Sequence, residues 1–308
     1  MMSQILLTGY SGFVGRHVAS NYNVHRVVLR ESNSTVHNFN GTIFKINDLD
    51  GLTNWTGAFE NITSVIHLAG LAHSNEYDLF DYNRVNVDGT IRLAREAAKS
   101  GVKRFVFVSS IGVNGRKTIG SPFSPNDADK PHNPYARSKN DAEMELKKIA
   151  LDTGLEVVIV RPTLVYGPDA PGNFGTLAKL VHKLPILPFG LANNRRDFIS
   201  VQNLADLLIT CATHPSAAGH TFLASDCKSV SIKEFTNAIS EGLGKKVMQL
   251  PIPISLMRLA GKITGNSVII EQLFDDLQVD SENTKEVLGW SPPFTIKQAM
   301  ASLRDSSK

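Results

Sequence analysis

The sequence predicts a doubly wound α/β fold, a parallel sheet covered by helices on both faces, with a smaller and mostly helical C-terminal domain. Three observations carry that expectation. The first half alternates short apolar runs with amphipathic stretches. The apolar runs are continuous, as in strands buried on both faces. After Pro162 the rhythm gives way to segments rich in Pro, Gly and Asn and then to short helical patterns.

Each element follows from its own signals. "QILLTG" reads as the first strand, "VGRHVASNY" as the first helix, "HRVVLR" as the second strand and "TSVIHLAG" as the third. "YNRVNVDGTIRLAREAAKS" reads as one long helix closed by Gly101, and "VKRFVFVSS" as the fourth strand. "NPYARSKNDAEMELKKIALDTG" is a second long helix, with Pro134 in its first turn and Gly154 beyond its end. "LEVVIVRP" is the strand that follows. "TLVYGPDAPGNFG" and "LPILPFGLANNRR" read as loops over a binding cleft. "DFISVQNLADLLITCATH" and "HTFLASD" supply a helix and a strand that return to the sheet, and "SIKEFTNAISEGLG" through "TIKQAMASL" supplies short helices. Residues 1–163, rejoined by 198–224, then form the sheet domain; 164–197 and 225–308 form the second.

Composition narrows the function. A length of 308 residues suits one large domain or two unequal ones. A net charge of +3 and a pI near 8.8, with scattered basic residues, argue against a nucleic-acid binder. Cys211 and Cys227 have no metal-type spacing, so no metal site is expected, and they read as a buried pair of reduced thiols. No stretch approaches the ~18–20 apolar residues of a membrane span. "ILLTG" is too short for a signal peptide, so the expected location is the cytoplasm.

Gly9, Gly12 and Gly15 fall where the first strand hands over to the first helix. In a Rossmann-type site the first glycine allows a tight turn, the second lets the backbone approach a pyrophosphate, and the third permits close helix–strand packing. The phosphates then lie on the helix N-terminus. Gly9, Gly12, Phe13, Val14 and Gly15 are therefore candidate dinucleotide ligands. At the end of the second strand, Arg30 suits the extra phosphate of NADP by charge and forked geometry. Glu31, next in the chain, suits the ribose hydroxyls of NAD instead.

"PYARSK" places Tyr135 and Lys139 one helical turn apart on one face. A phenol titrating near pH ~10 is a poor acid or base at neutral pH. A neighbouring ammonium and an oxidised nicotinamide favour the phenolate and draw its pKa toward the working range. Ser109 and Ser110 end the fourth strand, where a doubly wound sheet binds its ligands.

The glycine turn, "HLAG", "NVDGT", "SSIGVNG", Tyr135-x-x-x-Lys139, "RPTLVYGP" and "RRDFISVQNLAD" occur in one order from about residue 5 to 210. In that order they resemble the extended branch of the short-chain dehydrogenase/reductase family, the NAD-dependent epimerase/dehydratase type. "LQVDSENTKEVLGWSPP" is similar to its C-terminal segment. The resemblance implies that Tyr135 moves the proton, that Lys139 holds the cofactor ribose, and that Ser110 hydrogen-bonds the reacting sugar oxygen with Ser109 beside it. It assigns Asn86 to organising the site, although a helix-interior polar residue reads equally well there. Asp48 matches the position that contacts the adenine amino group, with Leu49 next to it. Leu68, Ala69 and Gly70 lie beside the cofactor, as do Pro162 and Val165, and His67 reads either there or as a packed core histidine. For the nucleotide sugar the resemblance points to Asn173 and Arg196 at the diphosphate and uridine, and to His73 at the sugar.

The place where dehydratases of this family carry Thr-Asp-Glu holds Ser110-Ile111-Gly112, so a dehydratase is not expected. Two readings remain. One is a reductase of a UDP-4-keto-hexose, quinovosamine-type, in surface-polysaccharide or O-antigen sugar synthesis, using NADPH. The alternative is a UDP-hexose 4-epimerase with retained NAD. Arg30 favours the reductase. A non-catalytic NADP-binding sensor is a third reading, opposed by the intact Tyr–Lys pair. Leu164 replaces an asparagine of many relatives, and "EQLFDD" lacks the arginine usual before Asp280. The resemblance also implies a homodimer through the helices that begin near Tyr82 and Tyr135.

Overall fold

Seven strands lie side by side and parallel in the computed structural model, which describes residues 4–32, 39–72, 76–265 and 267–307. The chain forms in order β1 (Ile5–Thr8), β2 (Arg26–Arg30), β3 (Thr42–Ile46), β4 (Ser64–His67), β5 (Arg104–Val108) and β6 (Glu156–Pro162). β7 (Leu164–Tyr166), β8 (Ile186–Leu187), β9 (Phe198–Ser200), β10 (Thr221–Ala224) and β11 (Met248–Gln249) follow. The large sheet runs β10-β6-β5-β4-β1-β2-β3. Its order reverses between β1 and β4, in register Thr8 opposite His67, and such a switch point opens a crevice at the strands' C-terminal ends.

The helices are α1 (Phe13–Asn21), α2 (Leu79–Tyr82), α3 (Gly89–Lys99), α4 (Pro134–Thr153), α5 (Gly172–Lys183), α6 (Val201–Thr213), α7 (Ile232–Gly242), α8 (Ile254–Ile263), α9 (Ser267–Phe274), α10 (Glu282–Leu288) and α11 (Ile296–Ala301). Successive strand residues point to opposite faces. Leu7 and Ile66 pack with Val18 of α1 and Leu204 and Leu208 of α6. Leu6 and Val65 pack on the other side with Leu93 of α3 and Leu146 of α4. Each such side chain, fully buried, contributes about 2 kcal/mol. A third core joins Tyr166, Phe174, Phe198, Phe235 and Met300, with Phe198 stacked on Phe235 at 3.8 Å between ring centroids.

Asn133 caps α4 by accepting from the Ala136 N–H, Pro134 opens the helix, and Gly154 closes it at φ 75°. Four details differ from expectation. β3 is an additional edge strand, hidden in the sequence because only one of its five residues is buried. The long helix after β4 contains a π-helical segment, Asn83–Asp88. β9 is a short strand where the sequence pattern runs straight into the following helix; it pairs with β7, while its Ile199 still packs in the first core with α6, Ala217 and β10. The cysteines are not a buried pair: Cys211 is buried, but Cys227 is exposed in a turn at φ 55°. Among the described residues no helix is long and apolar enough to cross a membrane, and no cluster of metal-ligating side chains occurs.

Candidate active site

At the crevice, the turn from β1 to α1 is built of backbone. Gly9 adopts φ +77°, and a Cβ on it would lie 2.7 Å from the Ala69 nitrogen and 2.8 Å from the Leu68 carbonyl carbon. A Cβ on Gly15 would lie 2.1 Å from the Gly9 oxygen. No side chain caps α1 at Gly12, so the N–H groups of its first turn, at Phe13, Val14 and Gly15, are available to an anion. A dinucleotide pyrophosphate fits such a cradle.

Tyr135 and Lys139 project from α4 toward the end of β5. Lys139 is 5% exposed; its Nζ donates to the Val108 carbonyl at 3.0 Å and lies 4.8 Å from the Phe107 ring centroid. Burial pulls the ammonium down to about 8, with Glu143 opposing. Tyr135 is hydrogen-bonded to Ser110 and pushed up to about 12, first by burial and then by Tyr82, against the Ser110 bond. The Tyr82 ring stands 6.0 Å away. Burial is the largest influence on the phenol, and Lys139 Nζ is hydrogen-bonded to a carbonyl; the expected lowering of the phenol pKa calls for the oxidised nicotinamide as well as the ammonium. Ser110 sits just beyond β5, its Oγ accepting from the Gly112 N–H at 3.1 Å.

Asn86 lies in the π-helical segment, a local insertion frequent at functional sites. Its Oδ1 accepts from the Leu71 N–H at 2.7 Å, and its Nδ2 donates to the Leu71 carbonyl and to Ser138 Oγ. It thus ties the loop after β4 to the helix that carries Tyr135 and Lys139. A Cβ on Gly70 would meet Asn86 Oδ1 at 2.8 Å and Lys139 Nζ at 3.5 Å. His67 is a packed core residue held between Thr8 Oγ1 at 2.7 Å and Thr90 Oγ1 at 2.9 Å. Burial, then Lys139, draws it down to about 3 and keeps it neutral.

At the outer end, Arg30 is exposed at the end of β2. Asp48 accepts from the Leu49 N–H and pairs with Arg84, and these bonds, opposed by burial, together with Arg84 and Arg30, lower its pKa. Leu49 is a core residue beside Gly89. Leu68 and Val165 pack partly buried against the first core, and Pro162 ends β6 opposite Ala224.

The remaining candidates are dispersed. Asn173 is exposed in the first turn of α5. Arg196 Nη1 donates to the carbonyls of Gln272 at 2.7 Å and Asp275 at 2.9 Å, which ties β9's approach to the end of α9. His73 lies outside the described residues. Ser109, expected beside Ser110 at the cofactor, donates its Oγ to buried Glu143. Glu143 and its partner Arg161 were not anticipated. Their signal was the spacing of Tyr135, Lys139 and Glu143, at i, i+4 and i+8 on one helix.

A backbone cradle for phosphates beside a half-buried phenol and hydroxyl and a buried amine suits a nicotinamide-dependent enzyme. The chain belongs to the NAD dependent epimerase/dehydratase family, an NAD(P)-dependent family of enzymes whose model matches residues 5–224. Among curated relatives, a UDP-glucose 4-epimerase of Vibrio cholerae is 42% identical over 97% of this chain and 93% of its own length. An N-acetyl-alpha-D-glucosaminyl-diphospho-ditrans,octacis-undecaprenol 4-epimerase of Escherichia coli O157:H7 is 25% identical over 97% of this chain and 94% of its own. Of solved structures, UDP-glucose 4-epimerase from Thermotoga maritima with UDP-glucose superposes with a TM-score of 0.76 at 22% identity, covering 99% and 100% of the two chains. RMD from Pseudomonas aeruginosa complexed with NADPH superposes with a TM-score of 0.72 at 21% identity, covering 99% of each.

Proposed function

We propose that this chain is a UDP-hexose 4-epimerase that retains its dinucleotide through the catalytic cycle. The observation that carries the reading is the near full-length identity of 42% to a UDP-glucose 4-epimerase. It outweighs the tilt toward a reductase that Arg30 supplied, because that tilt rests on one exposed side chain. Gly9, Gly12 and Gly15 with the first turn of α1 hold the pyrophosphate, Arg30 and Asp48 face the adenosine, and Lys139 holds the nicotinamide ribose. The bound nicotinamide supplies hydride exchange with C4 of the sugar.

The chain's own groups handle the proton. Ser110 orients the C4 oxygen by a hydrogen bond and Tyr135 takes the hydroxyl proton and later returns it, the two being already bonded to each other. Lys139 keeps a positive charge next to the tyrosine, which favours the phenolate when the proton has moved. Asn86 holds the loop after β4 against α4 so that Gly70 stays beside Lys139. A ketone with protein groups on only one side of its oxygen can present either face to the ring, which inverts C4. Residues 164–197 and 225–308 bind the nucleotide end, with Asn173 at its edge. Arg196 spends Nη1 on two carbonyls and has Nε and Nη2 for a diphosphate.

The test is to denature the purified protein, identify the dinucleotide released, and incubate the native protein with UDP-glucose and with UDP-N-acetylglucosamine without added NADPH. Retained NAD and formation of the C4 epimer are expected. Stoichiometric oxidation of added NADPH on a UDP-4-keto-hexose, with no epimer formed, identifies a reductase instead.

A further inference from the structure

Beneath the Tyr135–Lys139 pair lies a buried ionic cluster that proton transfer, as described above, does not use. Glu143 is 0% and Arg161 1% exposed. Glu143 Oε1 accepts from Ser109 Oγ at 2.5 Å and from Arg161 Nε at 2.9 Å, and its Oε2 accepts from Arg161 Nη2 at 2.5 Å. Arg161 extends the cluster: Nη1 donates to Asn114 Oδ1 at 2.9 Å and Nη2 to Asp129 Oδ1 at 2.8 Å. Asn114 in turn donates to the Ser124 carbonyl.

Two features make this more than core filling. Apolar residues of the same volume often stabilise a core as well as a buried ion pair does, so stability alone is a weak reason for the pair. Its bonds also fall on the segment that joins the reacting groups. Ser110 begins that segment and Tyr135 follows it; Asn114 and Asp129 are its two tethers to Arg161. On α4, Glu143 stands one turn beyond Lys139, as Lys139 stands one turn beyond Tyr135.

We propose that Glu143 is a positioning residue for proton transfer: clamped by Arg161 and Ser109, it keeps Lys139 an ammonium and, through Arg161, fixes the segment between Ser110 and Tyr135. The proposal rests on the reading of Tyr135 and Lys139 as the proton-transfer pair. The titratable groups that act on Lys139 are Glu143 from its own helix and His67 from β4, with Tyr135 one helical turn away and Arg161 of β6 behind Glu143. His67 is held neutral by burial and Lys139. Glu143 is then the nearby anion that sustains the Lys139 proton against burial.

Glu143→Gln alone strands the Arg161 charge in the core, so the neutral pair Glu143→Gln/Arg161→Met is made beside it, with Glu143→Asp as the conservative variant. Lys139 is titrated directly in protein labelled at lysine Cε with 13C, its NMR signal assigned by its loss in Lys139→Arg. The wild-type midpoint is expected near the value of about 8 that burial and Glu143 set. In the double variant it falls by about one pH unit or more, the usual effect of losing a close opposite charge. The alkaline limb of kcat falls by the same interval, since turnover is lost as pH rises through the Lys139 midpoint. KM changes less than kcat, and Glu143→Asp restores most of the profile. An unchanged Lys139 midpoint in a double variant with wild-type circular dichroism overturns the proposal and leaves the cluster a structural one. A shifted midpoint in a protein that epimerises no UDP-hexose supports the electrostatic role of Glu143 and overturns the functional reading instead.

Discussion

The two ends of the binding crevice are built on different principles. At the sheet end, the groups that support the Tyr135–Lys139 pair are held by named hydrogen-bond and ring partners. Lys139 is held by a carbonyl and an aromatic face, Asn86 by three bonds, and Ser109 and Arg161 by Glu143. At the nucleotide end, Asn173 is exposed, and Arg196 is held by backbone carbonyls alone in the hydrogen bonds described. The parallel sheet gives fixed geometry to chemistry that tolerates little displacement. In the function proposed above, the C-terminal lobe binds the nucleotide end of the substrate.

The contrast is broken most severely at Tyr135. Tyr135→Phe is expected to lower kcat by about a thousandfold, within the range of general acid–base catalysis, while dinucleotide affinity measured by fluorescence quenching stays within about twofold. Gly15→Ala comes next. Its Cβ would lie 2.1 Å from the Gly9 oxygen, so the turn must open. The expected loss is about 3 kcal/mol of stability in urea, with dinucleotide binding abolished.

His67 sharpens the comparison through pH. Its folded pKa is depressed from 6.5 to about 3, so the unfolded chain binds more protons in that interval and stability declines as acid is added. The loss reaches about 2–3 kcal/mol by pH 4.5 at ~1.36 kcal/mol per unit. Urea midpoints across pH 4.5–7 should show that slope, and a His67→Gln variant should flatten it. At the nucleotide end effects shrink. Arg196→Ala is expected to raise the KM for a UDP-sugar about tenfold with kcat unchanged within about twofold. Asn173→Ala is expected to raise KM by about threefold or less, measured in the same assay.

What could be read from the chain beforehand follows the same division. The glycine turn and the Tyr–Lys spacing are local, since their geometry depends on residues within one turn or one helix. β3 was not readable, because Thr42, Ile43 and Lys45 lie exposed on a sheet edge and lack the apolar run of a central strand. The π-helical insertion at Asn86 leaves no trace in a helical pattern. Glu143 looks like any solvated helix glutamate until β6 brings Arg161 against it. Ser109 and Ser110 are neighbours in sequence yet point to different places, one into the ionic cluster and one to Tyr135. The hold of Arg196 on the end of α9 depends on residues nearly eighty positions away.

The most direct test of reversible proton and hydride exchange at one enclosed carbon is to supply UDP-glucose deuterated at C4 and examine the product by mass spectrometry and NMR. The account predicts UDP-galactose with the deuterium still on C4, no net change in NAD(P)H, and no product from Tyr135→Phe. Product whose C4 label has been replaced from solvent, or turnover that persists undiminished in Tyr135→Phe, contradicts it.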